Sequence, residues 1–420
     1  MKRRPPLDAL DEYFLGMRPR LVGLVLVVGL GSGIVGALYL LVLHVLQHVL
    51  WPTEWNGLVG FAVLGGVGLV AGLITRFVGS PGDVELMVDN IHVSGSATGV
   101  RALRSLVPIS WLCVASGGAM GPEAPLVQTT GSLASWAGRR AGLEVRDARI
   151  LTIVGMAGAF TVLFGAPLGA AVFALEILHR KGLQYYEALL PAVLGSLAGY
   201  VVYVAATGAG LAPVWHLPSP HGIHTADLGW AVAAGCVGAL IAVVFTYVST
   251  ALRWGARKLR PELRPVIGGL VLAALGLASA YSLTFGEAQI GEILTHHGGT
   301  VAFFALAACA KLLGTSVTLS SEWRGGFIIP LFFMGACLGR AFHLIAPGTD
   351  EAVMVAAMMA AANTGVTKTP LGSTLVVSEM AGFRLLPTTL IATVVAFVLT
   401  SEVGLIDTQR ERDAVGDPSA

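Results

Sequence analysis

The chain has 420 residues, 55% of them hydrophobic and only 12% charged, with a formal net charge of +1. A soluble domain carries roughly 25% charged residues, so a water-soluble fold of this size could not cover its own surface. The near-zero net charge also argues against a nucleic-acid partner, which leaves an all-α integral membrane protein, surrounded by membrane lipid, as the expected class.

Lys2, Arg3, Arg4, Arg18 and Arg20 come first and mark residues 1–20 as an N-terminal segment. The apolar run at 21–50 is too long for a signal peptide, and no small-residue cleavage site follows it. Further runs with the length and apolarity to cross roughly 30 Å of hydrocarbon stand at 57–74, 189–211, 229–252, 266–283 and, with its flanks, 388–399. The whole chain holds roughly ten to twelve hydrophobic segments. Those broken by Gly or Pro after roughly 8 to 14 residues read as half-helices that stop inside the membrane, where only protein or a watery cavity can satisfy the freed backbone. Arg253, Arg257, Lys258, Arg260 and Arg264 interrupt the middle, and Arg410 and Arg412 lie in a short polar tail at 406–420. The positive-inside tendency assigns these basic groups, and with them both termini, to the cytoplasm. No attached soluble regulatory domain is expected.

The membrane region at 21–405 divides into halves of similar plan, about 21–205 and 225–405. In the first, Gly121-Pro122-Glu123-Ala124-Pro125 precedes an apolar run, and Ala166-Pro167-Leu168-Gly169 follows, with Glu176 nine residues after the proline. In the second, Gly325-Gly326-Phe327-Ile328-Ile329-Pro330 precedes an apolar run, and Thr369-Pro370-Leu371-Gly372 follows, with Glu379 again nine residues after the proline. Pro125 and Pro330 are 205 positions apart, Pro167 and Pro370 203. Repeated halves with interrupted helices point to a transporter architecture whose site lies near the bilayer midplane.

An anion inside a membrane needs partial positive charge without a fixed cation that would hold it too tightly. Helix N-termini supply this through unpaired N–H groups and the positive end of the dipole, and glycine leaves the approach clear. The two Gly-Pro segments read as such helix starts, with proline in the first turn. Gly79-Ser80-Pro81-Gly82-Asp83 is a third, in which Ser80 can cap a helix or offer its hydroxyl to an anion. Glu123 beside a helix start is itself an anion, able to occupy the site and leave when protonated. The competing reading is a structural glutamate bonded to backbone. Glu176 and Glu379 read as capping or pairing residues inside the protein.

These motifs, in this order, resemble the CLC family of anion channels and proton/anion antiporters over nearly the whole chain, in its prokaryotic form without appended domains. The resemblance implies an inverted repeat of tilted, broken helices, with Glu123 as gate and Ser80, after Gly79, as ligand of the central anion. It places the backbone of Phe327, Ile328 and Ile329 around the outer site, beside Ala124. It also implies a homodimer with one pore per subunit in a bacterial inner membrane, no cofactor other than the transported anion, and no enzymatic activity.

The sequence departs from the family pattern in four places. Pro122 stands for a basic residue and Ala124 for a glycine, which removes a charge and an N–H from the entrance. The first loop continues Pro81-Gly82-Asp83 rather than Gly-Ile-Pro. Ile177 occupies the position of the intracellular proton-relay glutamate, and Ile406 that of the tyrosine completing the central site. An isoleucine cannot relay a proton, so the expected activity is a channel or uncoupled transporter gated by Glu123. The alternative is a proton-coupled antiporter. Chloride is the default anion, with bicarbonate, fluoride or nitrate open.

Cys113, Cys236, Cys309 and Cys337 lie singly and read as packing residues. His44 with His48, and His296 with His297, could each bind metal, but surface or interface packing is the commoner use, and no metal site is expected. Ser32-Gly33 and Ser116-Gly117 resemble fragments of membrane proteases but lack a base at an arguable spacing.

Overall fold

The computed structural model describes residues 19–51, 57–82, 84–97, 99–208, 214–215, 217, 222–296 and 298–409. Asp83, His297, Lys2, Arg3, Arg4, Arg18, Arg410 and Arg412 therefore lie outside the described residues. Among those described, the chain is all-α, in sixteen helices. The first half contains α1 (Pro19–Leu50), α2 (Gly57–Val78), α3 (Val84–Ser94), α4 (Leu103–Ala115), α5 (Glu123–Arg140), α6 (Val145–Phe164), α7 (Pro167–Glu176) and α8 (Leu189–Thr207). The second contains α9 (Thr225–Ala256), α10 (Arg264–Ala278), α11 (Glu287–Thr295), α12 (Val301–Ser320), α13 (Ile328–Ile345), α14 (Glu351–Thr367), α15 (Pro370–Ala381) and α16 (Leu386–Leu399).

Among the described residues, eight helical segments are long and apolar enough to cross a membrane, and the expected shorter pieces include α7 and the segment Phe383–Leu399. The run read from sequence as 189–211 ends at Thr207 because Gly208 turns left-handed, φ 65°, and stops the helix. On α1, Val27, Ile34, Leu38, Leu41 and Val45 face outward, as a lipid-facing stripe should. The buried face is small at its centre, with Gly29, Ser32, Gly33 and Gly36. A methyl group on Gly29 of α1 would fall 2.4 Å from the carbonyl of Gly195 in α8, so only glycine lets these backbones meet.

The halves interlock at α7 and α15. The Glu176 carboxylate, at the end of α7, accepts from the N–H groups of Leu371 and Gly372 at the start of α15, at 3.3 and 2.7 Å. The Glu379 carboxylate, near the end of α15, accepts from Leu168 and Gly169 at the start of α7, also at 3.3 and 2.7 Å. Each helix end thus satisfies the orphan donors of the other, with negative charge at a positive dipole end. The expectation that these glutamates cap or pair is met by this reciprocal arrangement. The backbones are close because Gly169 and Gly372 lack side chains; a Cβ there would sit 2.5 Å from Val376 N and 2.6 Å from Phe173 Cα. Positions 169 with 372, 173 with 376 and 176 with 379 are all 203 apart, which makes the contact a local two-fold axis of the inverted repeat.

Candidate functional site

The starts of α5 and α13 also meet. Gly121 N–H donates to Gly326 O (2.8 Å) and Gly326 N–H to Gly121 O (2.6 Å). This pair forms an isolated antiparallel bridge between two loops 205 residues apart. Both helices then begin with proline in the first turn, at Pro125 and Pro330. Proline has no N–H to waste where one would be orphaned.

Glu123, the first residue of α5, is fully buried. Its Oε1 accepts from Ile329 N–H of α13 (2.8 Å), and its Oε2 is buried without a hydrogen-bond partner. A carboxylate from one half-helix thus occupies the amide-rich start of the other. The space for it is made by glycine. A methyl on Gly121 or Gly326 would lie 2.2 or 2.5 Å from Oε2.

Two cavities meet around this point. One is lined by Ser80, Met120, Ala124, Gln128, Phe327 and Ile406, with Arg253, Arg257, Arg264, Arg324, Glu85 and Glu322 also in its wall. The second is almost wholly apolar and is lined by Glu123, Ala124, Phe327, Ile328, Ile177 and Ile406 with Met87, Val88, Met156 and Phe160. They share Ala124, Phe327 and Ile406, so these three residues form the partition between a charged vestibule and the Glu123 niche.

Of the residues singled out from sequence, the structure therefore gathers Glu123, Ala124, Phe327, Ile328, Ile177 and Ile406 at one place, with Ile329 contributing its N–H. Ser80 stands apart, exposed, in the vestibule. It does not cap α3, which starts at Val84; its Oγ accepts from Gly82 N–H at 3.5 Å, the limit of a hydrogen bond. Gly79 supplies the turn after α2 with φ 123°, which a residue with a side chain rarely adopts. Ile406 is held by Gln409, whose Nε2 donates to Ile177 O (2.9 Å) and Thr367 O (2.8 Å). Gln409 was not read from the sequence, because a tether between carbonyls at two helix ends leaves no local signal.

Two further polar features escaped the sequence reading. Lys311 of α12 is fully buried and donates to Leu283 O (2.6 Å), Thr284 O (2.8 Å) and Gln289 Oε1 (2.7 Å). Thr284 N–H in turn donates to Gly117 O (2.8 Å), so Lys311 braces the loop that leads to Glu123. Second, His92 of α3 forms a buried cluster with Tyr185 and with His179, which lies two residues beyond Ile177. His92 Nε2–H donates to Leu178 O (2.7 Å), which leaves Nδ1 of the neutral ring to accept from the Tyr185 hydroxyl (2.9 Å). The His179 ring lies edge-on to both, and Arg149 covers Tyr185 at 4.8 Å. His296, by contrast, stacks on Phe303.

The comparisons with known proteins bear on the family and the fold. The family model described as voltage gated chloride channel matches residues 67–401. A chloride/fluoride channel protein of Pseudomonas syringae pv. tomato is 27% identical over 91% of this chain and 84% of its own length. Among solved structures, a CLC-type fluoride/proton antiporter superposes with a TM-score of 0.81 at 22% identity, covering 93% of this chain and 98% of that one. A slow cyanobacterial Cl-/H+ antiporter gives the same TM-score at 19% identity, covering 96% and 100%. With a family model spanning most of its length and a fold built around two facing half-helix starts, the chain belongs to the voltage gated chloride channel (CLC) family.

Proposed function

We propose that the chain passes small inorganic anions, chloride first, through a pathway gated by Glu123 and not obligatorily coupled to protons. The observation that carries this reading is the Glu123 carboxylate bonded to Ile329 N–H, an anion seated where a transported anion would need to be. Anions enter past Ser80 from the arginine-bearing vestibule, cross at Ala124, Phe327 and Ile406, and exchange with the carboxylate. Ile177 offers no proton carrier beside the niche, and an isoleucine rather than a bulkier tyrosine at 406 leaves room for a larger anion such as bicarbonate. The relative from Pseudomonas syringae is named for chloride and fluoride, which supports small halides as substrates. Both termini are assigned to the cytoplasm, and the working unit to a homodimer with one pore per subunit.

The direct experiment is anion flux from liposomes as a function of pH. Wild type should pass more anion as the pH falls, and Glu123→Gln should be fast and pH-independent; an unchanged pH profile in the variant sinks the gating role.

A second reading is proton-coupled anion antiport. One observation favours it: in the His92, His179 and Tyr185 cluster, His179 follows Ile177 by two residues, and His92 of α3 is one helical turn from Val88, which lines the Glu123 niche. Uphill proton movement driven by an anion gradient, lost in His92→Phe, would select this reading over the first.

A further inference from the structure

We propose that His44 and His48 form a binding site for a divalent transition cation such as zinc, at the end of α1 away from the N-terminus, and that its occupancy restrains the loop leading to Glu123. The site itself is independent of the anion-transport reading; only the restraint rests on it.

The two histidines lie at i and i+4 on α1, so their side chains share a face. Their Nε2 atoms are 3.1 Å apart in a hydrogen bond between the two rings, which are perpendicular at 88°; a metal would replace that bond, with the shared proton moved to Nδ1 or lost to water. A tetrahedral zinc ion, bonded to imidazole nitrogen at roughly 2.0–2.1 Å, sets its ligand atoms about 3.3 Å apart. The pair is therefore already near the chelating distance. Both rings are exposed, and the pocket they line contains Gln47, Trp51, Gly117 and Thr284. None of these is charged, so no neighbouring cation opposes a metal, and two coordination positions remain for water or the Gln47 amide oxygen.

The position suits an ion arriving from water. A helix of 32 residues extends about 48 Å, against roughly 30 Å of hydrocarbon. His44 lies about 35 Å along the axis from Leu21, where the apolar stretch begins, so the exposed pair stands near the far end of the helix rather than at its middle.

The link to the gate is steric. Trp51, three residues after His48, packs so closely on Gly117 that a methyl there would fall 2.3 Å from its ring carbon Cζ3. Gly117 opens the segment that ends in the Gly121 bridge and Glu123, and its carbonyl is held by Thr284 N–H. A cation clamping the last turn of α1 holds Trp51 against this segment, so gating movements of the loop should be slowed.

Zinc binding to the purified full-length protein, measured by calorimetry with magnesium as the control, tests the site. One zinc per chain is expected, with affinity lowered by roughly tenfold or more in His44→Ala and in His48→Ala, and no binding of magnesium. Absence of zinc binding, or equal binding in both variants, overturns the site. In liposomes, zinc on the side of this helix end should lower wild-type flux and leave His48→Ala unaffected. Equal inhibition of the two, or zinc binding without inhibition, overturns the restraint. A protein that binds zinc but passes no anion would instead contradict the transport reading and leave the site standing.

Discussion

Glu123 is held by a hydrogen bond whose strength depends on its own charge. A bond to an ionised acceptor contributes about 1.5–3 kcal/mol and a neutral one about 1, so protonation or Glu123→Gln weakens the hold on Ile329 N–H by on the order of 1–2 kcal/mol. Flux at neutral pH should therefore rise in Glu123→Gln by roughly 5- to 30-fold and lose its dependence on pH. The sign follows from the charge: below its titration range the carboxyl is neutral and the niche is released, above it the carboxylate refills the niche. Gly326→Ala tests the niche from the other side. Its methyl would lie 2.5 Å from Oε2 and 2.9 Å from the Glu123 Cβ, an overpacking of about 1–3 kcal/mol. Because the methyl crowds the place an anion must also use, flux should fall by roughly tenfold at every pH, in contrast to Glu123→Gln. Glu123 was legible in the sequence because a carboxylate between two prolines in an apolar region has few structural uses. Its partner was legible only in part, since Ile329 reaches it through a backbone N–H that no side-chain identity reveals.

At the scale of elements, α7 and α15 hold each other by exchanged carboxylates rather than by length, having 10 and 12 residues. Removing the charge in Glu176→Gln or Glu379→Gln should cost about 1–2 kcal/mol each. Since both act across one contact, the double variant should depart from the sum of the singles; thermal unfolding in detergent checks this. Additive effects would mean that the two caps are not one interlocking unit. Lys311→Met should be more damaging, because it leaves three acceptors without their buried donor, and a reduced yield of folded protein is expected. The repeat of Pro, Gly and Glu at matched spacing made the capping role of these glutamates readable. That each caps the other half was not, because spacing along the chain does not say which helices cross. Lys311 gave no warning either: a lone lysine in an apolar helix looks the same whether it reaches water or a buried turn.

At the scale of the whole molecule, the inverted repeat brings two helix starts, a charged vestibule and an apolar niche together. The all-α membrane fold was legible from composition and repeat, because lipid permits few alternatives. The meeting of Ile177 and Ile406 in one wall was not legible: the family resemblance assigned each a separate role, and the wall forms where Gln409 ties the two chain segments together. Ile406→Tyr should narrow the partition between vestibule and niche and lower flux of larger anions such as bicarbonate more than that of chloride; flux ratios under matched gradients would measure it.

The most direct measurement is simultaneous recording of anion and proton movement in liposomes carrying the purified protein, under a chloride gradient with the membrane potential clamped. Glu123-gated, uncoupled transport predicts rapid chloride flux that increases on acidification, with no uphill proton movement. Proton pumping driven by the chloride gradient would contradict it and turn attention to His92 and its neighbours.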